Sequence, residues 1–325
     1  MDLSVKGPDS VLARIFVDPW PGDYGSAMQI DDEAEGNGTA RIIDAEGFTF
    51  VEPSTAEPMA IAFVDGVRQR ESGLAQWRDG RTIPGMTGAY AVGAVIADGT
   101  AAPTYTNERV ERVLIWSSGT VGGLPPHPAG WNWTEERTAG TNPKALMLRL
   151  QELMRRAEAN LADFLAAQGL LVLLDGTLWF ASEYNKLNIA GYVKTHHVRL
   201  LPLEQASRLP DLPPRWRTTV FRTDANRYAI YLRLAESRRY DPPMAGIVRL
   251  EFSGQLPLDE VRRMADRFSV ALPAFAGVAH IDPRAPQNLQ PIGALETHLR
   301  HLMGDAGLAE RAVRDVVALA FPRET

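Results

Sequence analysis

The sequence contains no cysteine. That excludes a disulfide framework, a thiolate metal site and a cysteine nucleophile. No apolar run reaches the ~18 residues that a membrane-spanning helix needs, so no membrane partner is expected. The opening stretch, MDLSVKGPDS, lacks a basic segment followed by an apolar one. That argues against a secretory signal, and a cytoplasmic protein is expected. A P-loop, a dinucleotide fingerprint and a zincin helix motif are also missing, so neither loop-bound ATP hydrolysis nor that zinc chemistry is indicated. Positive charge is the scarcer sign: 34 Lys and Arg face 40 Asp and Glu, a net of −6. A wholly basic nucleic-acid coat is excluded, although a basic groove in the main body is not. The imbalance sits at the front, where residues 1–60 hold 12 acidic and 3 basic side chains.

What is present is an ordinary globular composition, 45% hydrophobic and 23% charged over 325 residues. A chain of that length buries about three quarters of its unfolded surface and needs no covalent staples. Residues 1–58, rich in Pro, Gly and acid, read as an irregular acidic N-terminal arm with short strands. The run DDEAEGNG at 31–38 reads as a solvated loop. Residues 59–325 hold the regular part. MAIAFVDG from Met59, Tyr90–Ile96 and Val110–Ser117 read as three strands, with Gly119–Asn142 as a loop carrying Trp131 and Trp133. Residues 143–168 form the clearest helix: Asn142 caps it and Pro143 opens it. Leu146, Leu150, Leu153, Ala157, Leu161 and Phe164 fall on one stripe. Gly169 stops the helix. The continuous run LLVLL at 170–174 reads as a strand buried on both faces, as parallel pairing requires. Asn188–His196, Thr218–Arg222, Tyr228–Leu234 and Gly246–Phe252 read as further strands, and Leu258–Leu272, Pro291–Met303 and Ala306–Ala320 as helices.

The chain has four Asp-Gly dipeptides, at Asp65, Asp79, Asp98 and Asp175. Turn chemistry accounts for Asp79 and Asp98. Asp65 and Asp175 each close an apolar strand of a strand–helix–strand crossover. If those strands lie side by side, the two carboxylates converge at the C-terminal edge of the sheet, where ligands of open α/β sheets bind. The intervening helix supplies a third acid. At about 100° per residue, Glu158 falls on the flank of the apolar stripe while Glu152 faces water. Three carboxylates are hard ligands suited to Mg²⁺ or Mn²⁺, and such ions serve phosphoryl displacement in nucleases and polymerases.

FVDG at 63–66, the helix with Arg155-Arg156 and Glu158, LVLLDGTL at 171–178 and GYVK at 191–194 together resemble the NurA nuclease family, in order and spacing, from about residue 59 to about residue 300. The resemblance implies an α/β fold: an RNase H-like mixed sheet flanked by helices, here with an N-terminal arm and C-terminal helices. It also implies Mn²⁺-dependent cleavage of DNA (Mg²⁺ being the alternative ion), a homodimer, and a HerA-type hexameric translocase as partner in DNA end processing. By the match, Asp65, Glu158 and Asp175 fall on the family's metal-binding acids and Lys194 on its lysine. Val67 departs from the family's Asp-Gly-Ser. In NLQPIGALETH at 288–298, Asn288 stands where the family has Tyr and Glu296 where it has His, with His298 two residues later. Glu296 is expected as a fourth metal ligand. These departures motivate a second expectation, a DNA-gripping adaptor that does not cut. A third, an enzyme acting on RNA or hybrids, stays open because carboxylates do not read the sugar.

Arg155, Arg199, Arg284 and Asn288 are expected to contact nucleic acid. Arg199, Arg208, Arg215, Arg217 and Arg222, interleaved with Trp216 and Phe221, have the composition of a single-strand stacking surface, or of a solvated face over core aromatics. His196 and His197 are adjacent on a strand and so point to opposite faces, which prevents joint chelation.

Overall fold

The computed structural model describes residues 38–44, 47–54, 60–78, 80–98, 102–178, 188–196, 199–223, 226–238 and 241–320. Most of the acidic arm, Met59, Asp79, Gly99 and His197 therefore lie outside the described residues. In chain order the strands are β1 (Arg41–Ile42), β2 (Phe50–Val51), β3 (Ile61–Arg78), β4 (Arg81–Ala97), β5 (Thr104–Trp116), β6 (Thr134–Arg137), β7 (Leu171–Asp175), β8 (Ile189–Val193), β9 (Arg217–Thr218), β10 (Phe221–Arg222), β11 (Arg227–Arg233) and β12 (Ile247–Ser253). The longer helices are α1 (Pro143–Ala167), α2 (Leu258–Ala271), α3 (Gln290–Met303) and α4 (Ala306–Ala320). The fold is mixed α/β. One sheet runs β1-β10-β11-β12-β8-β7-β3-β4-β5-β6, with β2 and β9 attached beside β11.

The crossover takes the expected path. β3 and β7 pair in parallel, from Ile61 opposite Leu171 to Val64 opposite Leu174. β8 pairs in parallel on the other side of β7. Buried between two parallel neighbours, β7 has no exposed residue, which is why its sequence is apolar without alternation. One expectation fails here. Asp65 does not end its strand, because β3 runs on to Arg78, pairing Asp65 with Gly93 and Gly66 with Val92 of antiparallel β4. The hairpin turn falls instead between Arg78 and Arg81, with Gly80 at φ +76°.

Alternation along the strands divides the core between two faces. On one lies α1. Its Leu146 and Leu150 pack against Met86, Val113 and Ile115, and its Leu161 and Leu165 against Val64, Val172 and Leu174. On the other lie three helices. Val261, Met264 and Phe268 of α2 join Phe63, Leu173 and Tyr192. Leu295, Leu299 and Met303 of α3 cover Val67, Ala89 and Ala91. Ala312, Val313 and Val316 of α4 cover Leu114, Trp116 and Trp133.

Helix α1 starts as its sequence dictates: the Asn142 side-chain oxygen accepts the Ala145 N–H at 2.9 Å. Its buried line, however, is rotated from the expected stripe. Leu146, Leu150, Met154, Glu158, Leu161 and Leu165 are buried, whereas Phe164 is 52% exposed. Two further expectations are corrected. The loop at 119–142 contains β6, a charged edge strand parallel to β5; its sequence, TEER, has too little apolar content to signal a strand. The strand at Thr218–Arg222 is two pieces, β9 beside β2 and β10 beside β1. Among the described residues no helix is long and apolar enough to cross a membrane.

Leu150, fully buried on α1, is the anchor of that face. Truncation of Leu150 to Ala is expected to cost roughly 2–5 kcal/mol, read as a lower denaturation midpoint at unchanged m-value.

Candidate metal centre

The parallel pairing of β3 with β7 stops at Val64 opposite Leu174, one residue short of both aspartates. Asp65 and Asp175 thus stand next to each other, on the face covered by α3. Helix α3 brings Glu296 to them. A carboxylate oxygen from each of Asp65, Asp175 and Glu296 lies within 4.8 Å of the others. Lys194, just past the end of β8 and 4% exposed, adds a cation. Its Nζ is 2.7 Å from Asp175 Oδ2 and 4.0 Å from Glu296 Oε1, and it donates to Asn288 Oδ1 at 2.9 Å.

Glu158 comes from the other face. Its Oε1 packs on Gly66, where an added Cβ would sit 2.5 Å from that oxygen and 2.9 Å from Met154 Cγ. That close approach, rather than a turn, is what requires glycine after Asp65. Glu158 Oε2 accepts a hydrogen bond from Arg155 Nη1 at 2.9 Å. The same Nη1 donates to the Asp175 carbonyl at 2.7 Å. Gly176, at φ +99°, lets the guanidinium in: a Cβ there would meet Arg155 Nη2 at 3.1 Å. Two oxygens are left over. Among the described residues, Glu158 Oε1 and Asp175 Oδ1 are buried and accept no hydrogen bond. Orphaned buried carboxylate oxygens are costly unless something charged or polar meets them.

The electrostatics agree. Burial first, and then the charges of Asp175, Glu296 and Glu158, push the Asp65 carboxyl well above the ordinary carboxylate range, against the pull of Lys194. Burial also raises Glu158, although Arg155 works against it. Arg155 is partly buried, but Glu158, Asp175 and Asp65 outweigh its desolvation and hold its proton more firmly. Lys194, Arg155 and Arg284 stand against Asp175, Glu158 and Glu296 respectively.

The residues expected to contact nucleic acid separate. Arg155 is spent on Glu158 and the Asp175 carbonyl. Asn288, 2% exposed, is buried behind Lys194. Arg284 is held side-on by Asp282, through Nε at 3.1 Å and Nη2 at 2.9 Å, with Nη2 3.6 Å from Glu296 Oε2. Arg199 is exposed. Its carbonyl accepts the Gly38 N–H, and among the described residues its side chain makes no hydrogen bond or ion pair with the cluster. The arginine–aromatic stretch is largely structural. Arg217 is buried against Asp266 at 2.7 Å, Arg208 lies over Phe48 and Phe50, Arg222 over Tyr228, and Phe221 is in the core. Trp133 is buried and donates to Glu71, and Arg112 covers Trp131. Glu152 pairs with Arg149 and Arg156 at the surface. Sequence reasoning missed Asp282, which no apolar pattern or motif marks.

No family model matches the chain, and no curated protein sequence matches it. Among solved structures, the fold is similar to that of the NurA nuclease from Sulfolobus solfataricus, at 12% identity over 94% of this chain and 97% of that one, with a TM-score of 0.46. It is also similar to an endonuclease V from Bacillus subtilis, at 13% identity over 88% and 93% of the two chains, with a TM-score of 0.30.

The raised Asp65 carboxyl sets a pH dependence. A carboxyl whose folded pKa lies above its unfolded one supports the fold fully below the ordinary aspartate range and loses that support as pH rises through the folded value. In EDTA, Asp65→Asn is therefore expected to melt higher than wild type at about pH 8 and to lose that advantage toward about pH 4. Calorimetric scans across pH would read this; a constant difference would contradict it.

Proposed function

We propose that the protein is a metal-dependent deoxyribonuclease that hydrolyses phosphodiester bonds. The observation that carries this reading is the meeting of Asp65, Asp175 and Glu296 within 4.8 Å, with Lys194 2.7 Å from Asp175 and buried carboxylate oxygens left without partners. The donors fit a hard divalent cation. They are oxygens only, the hard donors that Mg²⁺ and Mn²⁺ take. Asp65, Asp175 and Glu296 would hold it, with Glu158 as the fourth acid on the Gly66 side. A cation bound there supplies Lewis-acid stabilisation of a phosphoryl oxygen and makes water a better nucleophile at neutral pH.

The chain's own groups do the rest. Lys194, fixed between Asp175 and Asn288, holds a positive charge where a phosphate's charge develops. Arg155 keeps Glu158 and the end of β7 in register from below. Burial first, and then repulsion from the neighbouring acids, raises the Asp65 carboxyl, and a cation held there would lower it again. No side chain forms a covalent intermediate with the substrate. DNA as substrate, Mn²⁺ as working ion, a homodimer, a HerA-type hexameric ATPase as partner and a cytoplasmic place in end processing are proposed from the motif resemblance: FVDG, LVLLDGTL and GYVK in order.

The test is a digestion of matched single-stranded DNA, blunt duplex DNA, RNA and hybrid, with Mn²⁺, Mg²⁺ or EDTA. Cleavage of DNA is expected only with metal. Asp65→Ala, Asp175→Ala and Glu296→Ala are expected to lower the rate by roughly 100-fold or more, while the surface change Glu152→Ala leaves it unaltered. Metal-independent cutting, or full activity in Asp175→Ala, would overturn the reading.

A further inference from the structure

The loop between α2 and α3 holds a carboxylate that the reading above does not use. Among the described residues Asp282 makes no hydrogen bond or ion pair with a candidate metal ligand, yet it receives four hydrogen bonds. Oδ1 accepts from the Arg284 N–H at 2.8 Å and from Arg284 Nε at 3.1 Å. Oδ2 accepts from Arg284 Nη2 at 2.9 Å and from Asn288 Nδ2 at 2.7 Å. Each of these partners leads to the acid cluster. Asn288 accepts from Lys194 Nζ at 2.9 Å, and Lys194 pairs with Asp175 at 2.7 Å. Arg284 Nη2 faces Glu296 Oε2 at 3.6 Å. The loop is tied to the end of β8 as well, by the Tyr192 hydroxyl donating to the Gln287 carbonyl at 2.6 Å and Gln287 Nε2 to the Lys194 carbonyl at 3.4 Å.

We propose that Asp282 is a positioning residue of this centre: it orients Asn288 and Arg284, and through them keeps Lys194 shared between Asp175 and Asn288 and holds Lys194 and the Arg284 guanidinium back from Glu296. An ionised carboxylate only accepts, so the Asn288 amide must turn its NH₂ toward Asp282 and its oxygen toward Lys194. Remove the carboxylate and the amide loses the reason for that orientation. Turned over, it presents donors to an ammonium that can only donate. Lys194 keeps Asp175, at 2.7 Å, and Glu296, at 4.0 Å, within reach. Arg284, released from its side-on pair, has Glu296 as the nearest acid. Both cations compete with a metal for the same oxygens. Partners of this kind, which never touch the ion, change metal affinity or activity by roughly 10–100-fold when replaced. The inference rests on the metal-centre reading above.

Asp282→Asn is the discriminating variant. It keeps the size of the side chain but replaces one accepting oxygen by an NH₂, so that either orientation of the amide sets donor against donor, at Arg284 Nη2 and the Asn288 NH₂ or at the Arg284 N–H and Nε. Three quantities are measured on the full chain: the melting temperature, Mn²⁺ affinity from the free-Mn²⁺ electron paramagnetic resonance signal, and kcat and KM on a DNA substrate. With the variant folded, Mn²⁺ binding weaker by roughly tenfold or more and a fall in kcat exceeding any change in KM are expected. Replacing Arg284 with Met in the Asp282→Asn background removes one competing cation and is expected to restore part of the Mn²⁺ affinity. Unchanged Mn²⁺ affinity and kcat in a folded Asp282→Asn protein would overturn the proposal alone. So would an affinity loss that Arg284→Met leaves untouched, together with an unfolded Asp282→Asn chain, since Asp282 would then be structural. A wild type that takes up no Mn²⁺ would overturn the metal-centre reading, and this proposal with it. A wild type that binds Mn²⁺ without cutting would overturn only the nuclease reading, and the affinity comparison would still decide the role of Asp282.

Discussion

The centre depends on one constraint: two parallel strands of unequal length, side by side, each with an aspartate at the point where their pairing ends. Parallel register places Asp65 and Asp175 together without any loop to adjust the distance between them. Packing on both faces removes the water that would separate their charges. Each other charged group of the region answers that repulsion. Lys194 neutralises Asp175 from the strand end, Arg155 braces Glu158 and the Asp175 carbonyl from beneath, and Arg284 faces Glu296. Such an arrangement costs the folded state free energy that a structural core would not spend, as the raised Asp65 carboxyl reflects. Strain of this kind concentrates where a ligand relieves it.

The placement of the arginines separates two ways a basic residue can serve such a site. Arg155 and Arg284 are near the acids but turned toward protein oxygens, so their charge is used to hold the architecture. Lys194 stands directly against Asp175 Oδ2 while remaining compact and rotatable, the features that distinguish an ammonium from a guanidinium fork. Asp282 explains why the fork is turned as it is. A carboxylate that matches guanidinium geometry side-on fixes the plane of Arg284. Burial opposes its ionisation, but the hydrogen bonds from Arg284 and Asn288 outweigh burial and keep it charged.

Much of this was legible from the residues. Continuous apolarity marked β7 as a doubly buried parallel strand, and the crossover through α1 set Asp175 beside Asp65 before any coordinate was known. The helical wheel separated Glu158 from Glu152 correctly, but it placed Glu158 on the flank of the stripe. It counted Phe164 as core, whereas the buried line runs through Met154 and Leu165. A wheel weighs hydrophobicity, and a glutamate on the central line lowers the score of the very face that it occupies. Strand β3 was cut short because Asp-Gly is strong turn chemistry when read locally; the ladder with β4 overrides it. The nucleic-acid roles expected for Arg155 and Asn288 rested on charge and polarity alone, and partners distant in sequence decide where such groups point. Asp282 was out of reach for the same reason: Arg284 is local to it, but the Lys194 that makes the arrangement meaningful lies on another strand.

Gly66 links two positions that are far apart in the chain. The space its missing side chain leaves is filled by the Glu158 carboxylate and Met154. A methyl group there would displace the acid, and a shorter residue at 158 would leave a hole beneath the strand. Neither position can drift independently. In an evolving lineage a side chain at the residue after Asp65 would require Glu158 and Met154 to change together, because Met154 Cγ alone would still lie 2.9 Å from an added Cβ.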